Sequence, residues 1–145
     1  MSFERIMEAS MANDDLMNGV QTGQTIWNES HSVPGGKSRA IDLALFNGHI
    51  VYANGETGTY AGVDVIDTIE GKETFTANTT VLLADGSVSN QTFEGKATFK
   101  VGSDHIGGTG TWKLVNGTGR FAKLRGGGTF EWTVAGDKYR AEFSA

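Results

Sequence analysis

Along most of this chain apolar and polar side chains take turns, one position after the other, in short runs broken by turn-forming residues. Trp112 and Leu114 share one side of such a run, and Phe130, Trp132 and Val134 repeat the pattern after consecutive glycines at 126–128. A period of two is the signature of a strand with one face buried. Runs of this kind occupy about 24–31, 38–46, 49–53, 59–69, 73–83, 88–101, 109–115, 128–135 and 138–144. Between them stand Pro34-Gly35-Gly36, Asn47-Gly48, Asn54-Gly55, Asp85-Gly86, Asn116-Gly117 and Gly136-Asp137, which suit the positive φ angles of tight hairpins. Connections this short cannot hold crossover helices, so consecutive strands pair antiparallel. Closing the meander removes its exposed edges. The expected architecture is all-β, a single small antiparallel barrel of about eight strands.

The start of the chain differs. Phe3, Ile6, Met7 and Met11 recur at helical spacing, and Asp14, Asp15, Leu16 and Met17 extend or end that helix ahead of Asn18-Gly19. Residues 1–18 therefore read as an N-terminal segment with a short helix, and 19–145 as the barrel domain. A chain of 145 residues suits one domain with its own core. Its 21 glycines follow no collagen period and fit turns, bulges and barrel corners. The absence of cysteine excludes disulfides, thiolate nucleophiles and sulfur-ligated metals. Glu4, Arg5, Glu8, Asp14 and Asp15 interrupt any apolar leader, and no stretch is long and apolar enough for a membrane-crossing helix. The expectation is a cytoplasmic protein without a membrane partner.

Charge is unevenly laid out within a net of −5. Residues 1–95 carry 13 acidic and 4 basic side chains, and residues 96–145 carry 4 acidic and 8 basic. The basic residues are spread over several strands and turns, without a dense helix or an RNA-stacking motif, which argues against nucleic acid. The split fits either the meeting of first and last strands on closure or charge matching between subunits.

Gly117-Thr118-Gly119-Arg120-Phe121-Ala122 fits the loose dinucleotide pattern G-x-G-x-x-A, but Lys123, Leu124 and Arg125 run directly into the glycine triplet, leaving no room for the helix that would face a pyrophosphate. A different resemblance fits better. Asn116 through Gly126 resembles the G-G-[TS]-G-x-F-x-x-[AL]-x-G signature of allene oxide cyclases and plant dirigent proteins, departing at Asn116, where that family usually has glycine. The lead-in Gly108-Thr109-Gly110-Thr111-Trp112 is similar to bacterial proteins grouped with that barrel. The resemblance implies a small antiparallel barrel with a central cavity, often a homotrimer, that guides cyclisation or coupling of an apolar substrate. No cyclase active-site motif aligns in the N-terminal half, so the resemblance carries a fold and no catalytic residues.

Alternation nominates the chemistry. Ala61, Val63, Val65 and Ile69 share a parity that Asp67 interrupts, and a carboxylate on a buried apolar face would have a raised pKa suited to acid–base work. A bulge returning Asp67 to solvent, or a hydrogen-bonded core role, is the alternative. Trp27, Glu29 and His31, with Thr25, line one side of their strand, which suits either an acid–base site at a barrel mouth or an exposed polar face. Tyr52, Tyr60, Trp112 and Trp132 are candidates to stack on an apolar ligand, because in a small barrel core and cavity coincide. His31, His49 and His105 show no metal-ligand spacing, no nucleophile elbow exists, and no cofactor motif is present.

Three functions follow from this pattern. One is a cofactor-independent isomerase or cyclase that folds an oxygenated apolar substrate in its cavity, with Asp67 or Glu29 handling a proton. The second is a non-catalytic carrier of small apolar ligands. The third is a structural or interaction barrel filled by its own side chains. An ionisable residue buried beside an apolar cavity separates the first from the second, and an empty lumen separates both from the third.

Overall fold

The computed structural model describes residues 16–35, 37–102 and 105–145. The expected helix at 3–17 lies almost wholly outside them. The described chain is an all-β closed barrel of eight antiparallel strands in sequence order, β1 (Gly19–Ser32), β2 (Arg39–Tyr52), β3 (Thr57–Ile69), β4 (Lys72–Leu83), β5 (Val88–Val101), β6 (His105–Gly117), β7 (Gly127–Ala135) and β8 (Lys138–Ser144). β8 pairs with β1, from Gly19 opposite Phe143 to Gln24 opposite Lys138, which closes the ring, while the later part of β1 runs beyond β8 and pairs with β2 alone.

Two expected strands, at 38–46 and 49–53, are one. Asn47-Gly48 does not turn but runs through β2 opposite Gln24 and Gly23 of β1. The reason is a close approach of the two backbones: a Cβ at Gly48 would fall on the Thr22 carbonyl oxygen, and one at Gly23 on the Asn47 carbonyl. Asn116-Gly117 likewise ends β6 without a hairpin, and residues 118–126 form a longer connection holding a 3-10 turn at Gly119–Phe121. A tight turn that the pattern did not announce joins β3 to β4 through Glu70 and Gly71, both at positive φ.

Inward side chains pack a mostly aromatic core. One end is plugged by Leu16, Met17, Tyr52 and Phe121, all buried, with Leu124 packed against them. Here the glycine signature does its work. Gly119 holds a φ of +58° and lies against Ser87, and the turn it permits drops Phe121 into the barrel end, 6.2 Å from the Tyr52 ring. No helix follows the motif, so the pyrophosphate geometry is absent. Among the described residues no helix is long and apolar enough to cross a membrane.

Candidate functional site

The other half of the lumen is not filled. A cavity of about 180 Å³ lies toward the end that carries the Glu70-Gly71 and Gly136-Asp137 turns, walled by Phe46, Phe75, Phe93, Phe130, Trp132 and Tyr139. Two rows of inward positions explain the space. Ala44, Asp64 and Ala77 stand side by side on β2, β3 and β4, and Gln21, Ala141 and Trp132 on β1, β8 and β7. Where a wall position is alanine, its neighbours face room instead of a side chain.

Asp64 is one of two carboxylates lining this cavity. It is partly buried, and its Oδ1 is shielded from solvent with no hydrogen-bond partner among the described residues. Burial, reinforced by Glu73, pushes its pKa up to about 7. Glu73 also lines the cavity, and its pKa is raised by burial and by Asp42, with Lys100 pulling the other way. A carboxyl poised near neutrality can both take and give a proton.

Two unused donors share the lumen with Asp64, one of them on the opposite wall. In an eight-strand ring β7 is four strands from β3, the opposite wall, and there Trp132 is 7% exposed with its Nε1 unpartnered. Gln21, 3% exposed, leaves Nε2 unpartnered in the same cavity. A buried N–H without an acceptor costs about 1–3 kcal/mol. Nearby, the Tyr139 hydroxyl donates to the Tyr60 hydroxyl, which burial holds above its ordinary pKa range.

The expected catalytic residues lie elsewhere. Asp67 faces out: Arg39 donates from Nε and Nη2 to its two oxygens at 3.0 and 2.8 Å and holds its pKa below the ordinary range. The parity of Val63, Val65, Asp67 and Ile69 is the outer face of β3, with Val63 and Val65 47% and 42% exposed, because β-branched residues suit the open side of a strand as well as the covered one. Tyr60, Gly62, Asp64 and Ile66 are the inward set. Glu29 is exposed, with Nε2 of the equally exposed His31 3.0 Å from its Oε1. A bulge at Ile26 separates Thr25, which lines the cavity, from Trp27, Glu29 and His31, which point outward.

Of the aromatic candidates, Trp132 lines the cavity, whereas Trp27 is 46% exposed on the outer face in register with Leu45 and Val63. Tyr52 and Trp112 are buried nearer the plug, and Trp112 donates from Nε1 to the Ser144 carbonyl at 3.0 Å. Tyr60 is buried behind the cavity wall, against Phe46 and Tyr139. Asp64, Glu73 and Gln21 were not singled out by alternation within one strand, and the signal that finds them is the register between strands. Among the described residues no group of three His, Asp or Glu side chains is placed to hold a metal ion. No family model, curated protein or solved structure matches this chain.

Proposed function

We propose that the barrel is a small-molecule isomerase or cyclase: one mostly apolar molecule enters the lumen and Asp64 exchanges a proton with it. The observation that carries this reading is a carboxyl with a shielded oxygen, unpartnered among the described residues, and a pKa near 7 in a cavity walled mostly by apolar and aromatic side chains. The resemblance of residues 116–126 to the allene oxide cyclase and dirigent signature supports it from a separate direction. A carrier would use the same lumen without needing a titrating group inside it.

Toluene tests the reading through linkage. It should bind in the lumen and quench Trp132, and it should bind more tightly below pH 7 than above, because an apolar occupant strips water from Asp64 and favours the neutral carboxyl. Asp64→Asn should keep toluene binding and lose its pH dependence. Toluene affinity that is flat with pH in the wild-type protein would refute the reading.

A further inference from the structure

We infer that the substrate is a small neutral carbonyl compound, no larger than about one ring, whose oxygen accepts from Trp132 Nε1 and Gln21 Nε2 while Asp64, on the wall opposite Trp132, moves a proton at the adjacent carbon. This rests on the proposed role of Asp64 and adds the chemistry of its partner. The first support is the donor pair. Trp132 and Gln21 flank Ala141 on neighbouring strands, both are more than nine-tenths buried, and both keep an N–H without an acceptor among the described residues. Their complement is an oxygen with two lone pairs.

Charge selects among oxygen ligands. Asp64 and Glu73 line the cavity and Asp42 acts on Glu73 from beside it, with Lys100 opposing them there. A carboxylate or phosphate ligand would meet net repulsion there. An ammonium ligand would satisfy Asp64 but offers only donors, leaving Trp132 and Gln21 unpaired. A neutral carbonyl satisfies the donors and leaves Asp64 free to act as base. Size sets the upper bound: an apolar cavity of about 150 Å³ holds benzene, so about 180 Å³ admits a single ring or a short branched chain and excludes a long acyl chain.

The step balances within the site. Asp64 carboxylate takes the proton from the carbon next to the carbonyl, and the C–H electron pair becomes a carbon–carbon double bond. The carbonyl π pair moves onto the oxygen, where the two N–H groups stabilise the enolate. Returning the proton to the same carbon gives exchange, and returning it to a conjugated position gives an isomer, with no oxidant or second reactant needed.

Cyclohexanone in D₂O, followed by proton NMR with the full chain, tests this. The protein should wash out the hydrogens beside the carbonyl faster than buffer alone, and Asp64→Asn should return the rate to background. Trp132→Phe and Gln21→Met should each slow exchange by about tenfold or more while toluene still binds. Gln21→Met carries the test alone if Trp132→Phe does not fold. Cyclohexylamine should bind more weakly than cyclohexanone. Exchange at buffer rate, exchange indifferent to both donor variants, or preference for the amine would overturn the carbonyl assignment. If toluene keeps its pH-linked binding in that case, the role of Asp64 survives; if it does not, both fall.

Discussion

Replacing Asp64 by Asn should stabilise the protein, and by an amount that depends on pH. The side chain keeps its shape and loses only its ability to ionise. In the wild-type protein the folded-state pKa of about 7 lies above the ordinary 3.8, so the native state holds this proton more tightly than the unfolded chain. Stability then falls as pH rises from about 4 to about 7 and levels off above, where the carboxylate is ionised in both states. At about 1.4 kcal/mol per pKa unit the full penalty is roughly 4 kcal/mol. The Asn variant escapes it, because it carries no proton for burial and Glu73 to hold in place. Urea unfolding of both proteins at pH 4.5, 6, 7.5 and 8.5 should show a stability difference of about 1 kcal/mol at the acid end that grows to roughly 4 kcal/mol at pH 7.5 and stays there. A difference that is small and flat across that range would refute the burial argument. One that grows toward acid would reverse its sign.

Two further predictions concern the plugged end. Gly119→Val should lower stability by more than about 1 kcal/mol, because it forces a β-branched residue to a φ of +58° against Ser87. An unchanged melting temperature would mean that the glycine signature is not a structural corner. Phe121→Ala removes a ring only 1% exposed and should cost about 3–5 kcal/mol in thermal or urea unfolding. A loss below about 1 kcal/mol would mean the plug closes without it.

The barrel was legible in the chain because its turns and its period of two are local. Asn54-Gly55, Asp85-Gly86 and Gly136-Asp137 each mark a real reversal at a positive-φ glycine. Gly48 misled for a reason that no single strand contains: it is glycine because Thr22 and Gly23 of the next strand crowd it. The site was less legible for the same reason. Choosing a lumen face by counting apolar residues fails on β3, where Val63 and Val65 face solvent and Asp64 faces in. What marks Asp64 is the alanine on either side of it, Ala44 and Ala77, which become its neighbours only once the strands are in register. The bulge at Ile26 had the same effect on Trp27 and Glu29, turning a row read as continuous with Thr25 to the outside.

The most direct test of the account is a carbon-13 NMR titration of the aspartate carboxyls in the unliganded wild-type protein. Asp64 should titrate with a midpoint near 7, held up by burial and Glu73, while Asp67, gripped by Arg39, should titrate below the ordinary carboxylate range. An Asp64 midpoint near 4 would place its carboxyl in water and remove the acid–base group from the lumen.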